Sequence, residues 1–207
     1  MKRSASSRQW LQRHVNDPYV QRSKREGYRS RAAYKLIEID QKDRLLAAGA
    51  VVVDLGSAPG GWTQVAAGKV GPRGRVIAID LLAMPEVPGA VFLRGDFSTG
   101  AGLAAVEAAL EGARVDLVLS DMAPNLSGIA ITDQARAMAL AELARDFALA
   151  HLKPDGAFLV KVFQGSGYDE FLRGLRQAFR KVVVRKPGAS RGESAELYLL
   201  ARSPKAP

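Results

Sequence analysis

Four apolar runs recur along the chain, and each closes on or just before an aspartate. They are Val51-Val52-Val53-Asp54-Leu55, Val76-Ile77-Ala78-Ile79-Asp80, Val91-Phe92-Leu93 with Asp96 just beyond, and Val115-Asp116-Leu117-Val118-Leu119-Ser120-Asp121. The first two read as buried strands, the third as a short strand and the fourth as a strand with an acid at its end. Helical stretches separate them: one from Ser30, one over Trp62 to Lys69, one over Gly102 to Gly112 and a long one over Asp133 to Leu152. Strands that alternate with helices build a parallel, doubly wound α/β sheet. A turn at Lys153-Pro154-Asp155-Gly156 leads to a fifth strand, Ala157 to Phe163, and a helix from Tyr168 to Phe179. The last two strands, Val182 to Val184 and Glu196 to Ala201, have no helix between them. They are expected to pair as a hairpin, which puts one antiparallel strand in a seven-stranded sheet. The chain has 207 residues, enough for one domain. It divides into a basic N-terminal arm, 1–30, and a single domain, 31–207.

In open parallel sheets the ligand lies beyond the carboxyl ends of the strands, where strand order reverses. The loop Gly56-Ser57-Ala58-Pro59-Gly60-Gly61 follows the first strand. Gly56 and Gly61 have the spacing of a phosphate loop, but Trp62 stands where that loop needs its lysine, which excludes an NTPase. Ala58 occupies the second glycine of the dinucleotide fingerprint, so that motif fails as well. What remains is a glycine loop without a phosphate ligand, flanked by acids. S-adenosylmethionine fits this pattern, because it has a cationic sulfur, an amine and two ribose hydroxyls but no phosphate. Asp80 can accept both hydroxyls, Asp96 can accept from the adenine amine, and Asp54 and Asp121 can offset the positive charges. One acid at a strand end is an ordinary loop residue; four after successive strands mark a site.

Charge is unevenly spread. The net charge is +9, yet residues 1–35 carry ten Lys/Arg against two Asp/Glu, and residues 173–207 carry nine against two. The centre carries eleven against seventeen. Basic ends point to a nucleic-acid partner. With no cysteine, disulfides, zinc ribbons and cysteine nucleophiles are excluded. His14 and His151 have no ligand-like spacing, so no metal site is expected. There is no membrane-length apolar run and no signal-peptide core, which predicts a cytoplasmic protein that makes no membrane contact. The first dozen residues also have the Arg- and Ser-rich, acid-poor composition of an organellar transit peptide.

The segment Asp54-Leu55-Gly56-Ser57-Ala58-Pro59-Gly60-Gly61-Trp62-Thr63-Gln64 resembles the cofactor loop of the FtsJ (RrmJ, RlmE) family of ribosomal RNA 2′-O-methyltransferases. The resemblance continues through Ser30 to Leu36, Ser120 to Asn125, Phe158 to Phe163 and Ser190 to Tyr198, and spans Tyr19 to Ala201. It implies a Rossmann-like S-adenosylmethionine-dependent methyltransferase fold and a Lys-Asp-Lys-Glu tetrad at Lys35, Asp121, Lys161 and Glu196. It also implies cofactor contacts at Gly60, Trp62, Asp80, Asp96 and Asp121, to which the loop reading adds Gly56 and Asp54. Glu193 lies three residues before Glu196, but Glu196 keeps the spacing to Tyr198. The implied substrate is a uridine ribose in the A loop of the large ribosomal subunit RNA, methylated during ribosome assembly.

Lys161 stands out even without the resemblance, because it interrupts the apolar strand Phe158 to Phe163 and buried lysines are rare unless paired. As a neutral amine it can accept the 2′-hydroxyl proton; as an ammonium it can stabilise the developing oxyanion. Lys35 and Glu196 would position the ribose. Arg22, Lys24, Arg25, Arg29 and Arg31 precede Lys35, while Arg185, Lys186 and Arg191 precede Glu196, where RNA phosphates must pass. Transfer RNA or a messenger cap as substrate, and a non-catalytic RNA-binding assembly factor, are the alternatives. An amino-methyltransferase would need an aromatic clamp that Asp121-Met122-Ala123-Pro124 lacks, and cytosine C5 chemistry would need a cysteine. A monomer is expected.

Overall fold

The computed structural model describes residues 17–190 and 194–206. Helix α1 (Pro18–Glu26) starts at Asp17, whose carboxylate accepts from the Tyr19 amide at 3.0 Å, and Pro18 occupies the first turn, where no amide donor is needed. Helix α2 (Ala32–Asp43) buries Ala33, Leu36 and Ile39. The two helices are tied together: the Tyr34 hydroxyl donates to Glu26 at 2.9 Å and the Tyr19 hydroxyl to Glu38 at 3.1 Å. Residues 17–30 of the expected arm therefore lie against the domain; residues 1–16 are outside the described residues.

The remaining elements are β1 (Val51–Leu55), α3 (Gly61–Val70), β2 (Arg75–Asp80), β3 (Ala90–Arg94), α4 (Gly100–Leu110), β4 (Val115–Ser120), α5 (Ala130–His151), β5 (Leu152–Phe163), α6 (Tyr168–Ala178), β6 (Phe179–Arg185) and β7 (Glu196–Pro204). They form a seven-stranded sheet in the order β3-β2-β1-β4-β5-β7-β6, with β7 antiparallel to both neighbours and the other pairs parallel. This is the expected doubly wound sheet with one antiparallel strand. Side chains alternate across it. Val53, Leu55, Ile77 and Val118 pack with Val106, Phe147 and Leu175 from α4, α5 and α6. Val52, Val76, Leu117 and Leu159 pack with Leu36, Ile39 and Val65 from α2 and α3. Two buried layers explain why the central strands are apolar at almost every position, whereas the edge strands β3 and β6 leave Val91 and Val184 exposed.

The expected turn at Lys153 to Gly156 is corrected. These residues lie inside β5 as an irregularity, where register jumps from Val115↔Leu152 to Leu117↔Ala157. Pro154 and Asp155 protrude there, and Lys153 folds back to Asp116 at 2.7 Å. Pro and Gly mark a break in pairing, and a bulge satisfies that signal as well as a turn does. Helix α5 also begins at Ala130, before the expected Asp133.

Candidate active site

Strand order reverses between β1 and β4, and the loop after β1 lies at that point. The amides of Gly56 and Ser57 both donate to the Ile79 carbonyl, at 3.0 and 3.2 Å, which folds the loop over the end of β2. Gly56 has φ +77°, and a Cβ there would sit 2.7 Å from Met122 Cγ and 2.9 Å from the Met122 backbone. Only glycine lets the loop lie against the residue that follows Asp121. The result is a cavity of about 240 Å³ whose lining includes Gly56, Asp80, Asp96, Phe97, Asp121 and Met122. Three aspartates line it and no lysine or arginine does.

The acids are held in place. Asp80 accepts from the Ala58 amide at 2.9 Å and the Leu82 amide at 2.8 Å, so it bridges the glycine loop and the end of β2. Asp96 accepts from the side chain and amide of Ser98 at 2.6 and 2.9 Å, and these bonds hold its pKa below the usual carboxylate range. Asp54 is fully buried. Its Oδ2 accepts from Thr63 Oγ1 at 2.6 Å, while its Oδ1 has no partner among the described residues. Burial pushes its pKa up to about 7; Thr63 opposes the rise, and the charges of Asp121 and Asp80 add to it. An orphaned buried carboxylate oxygen, three lining aspartates and the absence of a lining cation fit a positively charged ligand with hydroxyls, as S-adenosylmethionine is. They do not fit a phosphate.

Beside this cavity the tetrad forms two ion pairs. Lys161 Nζ donates to the Asp121 carbonyl at 2.6 Å and lies 3.1 Å from Asp121 Oδ1. Lys35 Nζ lies 2.6 Å from Glu196 Oε1, which also accepts from Ser190 Oγ at 3.0 Å. Strand pairing explains the convergence: β5 lies between β4 and β7, Lys161 sits opposite Tyr198, and Phe163 sits opposite Glu196. Burial alone would raise the Glu196 pKa, but Lys35, helped by Ser190 and Lys161, outweighs it and holds the carboxyl below its ordinary value.

Other sequence-derived residues are placed differently. The Trp62 side chain is buried, its indole donates to the Ala32 carbonyl at 2.8 Å, and its ring packs on Tyr198 at 5.6 Å. Any ligand contact by Trp62 would use its backbone. At Gly60, with φ +105°, a Cβ would sit 2.8 Å from the Arg29 guanidinium. Arg29 clamps the loops: it donates to the carbonyls of Pro85 and Glu86, each at 2.6 Å. Arg31 pairs with Asp17 and donates to the Ala189 carbonyl, while lining the cleft at Lys35 and Glu196. Arg185 holds Asp43 through two bonds, at 2.6 and 2.7 Å. Arg22 pairs with Glu26 at 2.8 Å and covers the Tyr34 ring. Lys24, Arg25 and Lys186 are exposed. Arg191 and Glu193 lie outside the described residues.

In the sequence Tyr198 is only a spacing mark for Glu196. The structure shows it fully buried between the two ion pairs, with its hydroxyl donating to Asp121 Oδ1 at 3.2 Å and Lys35 Nζ 5.7 Å from its ring centre. Burial, reinforced by Asp121 and Glu196, pushes the phenol pKa well up, so the hydroxyl keeps its proton and serves as a donor. The signal was present: on a strand, residues two apart share a face, and Tyr198 is two from Glu196. Ser190, which nothing in the sequence marks as a partner of Glu196, meets it through its hydroxyl.

Comparison with known proteins agrees with this geometry. The chain is 62% identical over 200 residues to a protein of Azoarcus sp. (strain BH72) called ribosomal RNA large subunit methyltransferase E, covering 97% of this chain and 98% of the relative. A protein of the same name from Dechloromonas aromatica is 56% identical, with 98% and 99% covered. A crystal structure of a putative ribosomal RNA methyltransferase from Plasmodium falciparum superposes with TM-score 0.74 at 28% identity, over 85% of this chain and 98% of that one. A putative methyltransferase from Streptococcus mutans, solved in complex with SAH, shares the fold at TM-score 0.52 and 10% identity, over 83% and 95% of the two chains. The family model described as FtsJ-like methyltransferase matches residues 28–203, which span every tetrad and cavity residue described above, and the chain belongs to that family.

Proposed function

We infer that the chain uses S-adenosylmethionine to methylate the 2′-hydroxyl of a uridine ribose in large-subunit ribosomal RNA, in the A loop of the peptidyl-transferase centre, during ribosome assembly. The names of the bacterial relatives support the large-subunit RNA substrate, and the sequence resemblance supports the uridine and the A loop. One observation carries the reading: Lys161, within the buried strand β5, holds Asp121, and Asp121 lines the acidic cavity. The proton-handling group and the donor pocket thus share a residue.

S-adenosylmethionine supplies an electrophilic methyl group on a positively charged sulfur. Asp80 would accept from the donor's ribose hydroxyls and Asp96 from its adenine amine. Asp121, on the cavity wall, and Asp54, buried near it, would offset its positive charges, and Gly56, Gly60 and the Trp62 backbone would shape the loop around it. Lys161, entering as the neutral amine, would take the proton that the RNA 2′-hydroxyl loses on receiving the methyl group. Lys35 and Glu196 hold the ribose so that the oxygen faces the methyl group. Alignment of this kind can supply roughly 7–11 kcal/mol of barrier reduction. Lys24, Arg25 and Lys186 meet RNA phosphates directly, with Arg191; Arg22, Arg29, Arg31 and Arg185 hold the surface that presents them. The protein works as a monomer in the cytoplasm, without a metal ion.

Mass mapping of 2′-O-methyl nucleotides in large-subunit RNA from cells with and without this protein tests the reading. Loss of one uridine mark supports it, and an unchanged map refutes it.

A further inference from the structure

Eleven consecutive uncharged residues, 122–132, follow Asp121. Met122 and Ala123 line the acidic cavity, but the chain beyond them turns outward. Leu126 is 81% exposed, Ile129 63% and Ile131 84%, and they are the largest cluster of exposed aliphatic side chains close in sequence among the described residues. The segment is not slack. Asp133 accepts from the Ser127 amide and hydroxyl, both at 2.7 Å, and from the Gly128 amide at 3.1 Å, while the Ile129 amide donates to Ser127 Oγ at 3.2 Å. Its far end is anchored too: Gln134 donates to the carbonyls of Phe163 and Ser166 at 3.1 and 2.9 Å, beside the β5 residue that pairs with Glu196. A braced loop that leaves from Asp121 and is anchored at Phe163 thus carries three bare aliphatic side chains.

The surroundings indicate what covers them. Lys161 on β5 lies between Asp121, where the apolar loop begins, and Glu196, where Lys35 and Arg31 line the neighbouring cleft. One flank of the lysine is apolar and the other is polar, with Lys35 and Arg31 each held by a carboxylate. A single RNA strand has the matching two-sidedness, with phosphates along one side and flat, apolar base faces along the other. A ribose hydroxyl brought to Lys161 must come from a nucleotide drawn out of its stack, and apolar side chains inserted between bases are a general means of opening a stack.

We propose that Leu126, Ile129 and Ile131 form a wedge that packs against the bases flanking the target nucleotide and holds them unstacked while the ribose sits at Lys161. The inference rests on the proposed RNA methylation and names how that substrate is gripped. The wedge makes no contact with phosphate, so it adds affinity without adding salt dependence.

The test is the triple variant Leu126→Ser, Ile129→Ser, Ile131→Ser, assayed on large subunits that lack the mark. The expected KM for subunits rises roughly tenfold, with S-adenosylmethionine affinity, thermal unfolding and the salt slope of RNA binding unchanged. An unchanged KM, or a shallower salt slope, overturns the wedge. A photoreactive benzoylphenylalanine in place of Ile129 gives the second readout. Crosslinks to ribosomal RNA bases support the proposal; crosslinks to a ribosomal protein or to a second copy of this chain overturn it. Wild-type protein run in parallel separates the two claims. If it marks no ribose, the methylation reading fails; if it does and the variant matches it, only the wedge fails.

Discussion

The Tyr198 hydroxyl donates to Asp121 Oδ1 at 3.2 Å from a ring that is wholly shielded from solvent. Asp121 also receives Lys161, so the tyrosine fixes the carboxylate that both orients the lysine and lines the acidic cavity. Tyr198→Phe removes one hydrogen bond to a charged group, worth about 1.5–3 kcal/mol. Methyl transfer should fall roughly 10- to 100-fold, while S-adenosylmethionine affinity stays within about twofold and the fold stays intact. Isothermal titration alongside single-turnover rates measures both.

Asp54 predicts a pH dependence. Its folded pKa is raised to about 7 by burial, far above the roughly 3.9 of a free aspartate. A raised carboxyl means the folded state holds a proton that the unfolded state has released. The group's stabilisation of the ligand-free protein is therefore full below about pH 4 and is lost as pH rises toward 7. A cationic ligand favours the ionised form, so S-adenosylmethionine should bind tighter at pH 8 than at pH 6, by roughly tenfold. Asp54→Asn should flatten both trends, as calorimetry across that range would report.

Gly56→Ala should cost both binding and stability. Its Cβ would meet the Met122 backbone at 2.9 Å, in a conformation with φ +77° that side chains rarely adopt. Backbone atoms cannot swing aside, so Asp121 must shift with Met122. A loss of about 1–3 kcal/mol in stability is expected, with a larger loss of cofactor affinity than Tyr198→Phe gives. Thermal melts with and without S-adenosylmethionine would measure both losses.

The cations divide by exposure and by how closely they are paired, Arg25 lying 3.7 Å from Glu26 and Arg185 2.6 Å from Asp43. Removing exposed Lys24 or Arg25 should lower the salt slope of RNA binding by about one each and leave the melting temperature alone. Arg185→Ala should instead break the two bonds to Asp43. That costs about 1 kcal/mol and lowers Tm by roughly 2–4 °C, with little change in slope. Filter binding at several salt concentrations and a melting curve separate the two classes.

The sheet was legible because strands such as Val51 to Leu55 are apolar on both faces, a pattern few other structures tolerate. The tetrad residues were legible as residue types, and β5–β7 pairing accounts for how they meet. What stayed hidden depends on distant partners. Arg185 and Asp43 are 142 positions apart, and Lys35 and Glu196 are 161 apart. Charge composition cannot say which cations are already paired. Trp62 was hidden for a different reason. A bulky apolar residue in a glycine loop reads equally well as a ligand wall or as core, and its packing on Tyr198 puts its side chain in the core. The Lys153 to Gly156 bulge shows that Pro and Gly announce interrupted pairing without saying whether the strand ends or resumes.

Lys161 bears most directly on the chemistry. Single-turnover transfer of labelled methyl from S-adenosylmethionine to large subunits lacking the mark should be compared for wild type and Lys161→Ala. The product is digested to nucleosides, and cofactor affinity is measured in parallel. The expected result is label in 2′-O-methyluridine with wild type and a loss of roughly 100-fold or more with the variant, at unchanged cofactor affinity. Near-normal turnover by Lys161→Ala, or label on a base rather than a ribose, would contradict the account.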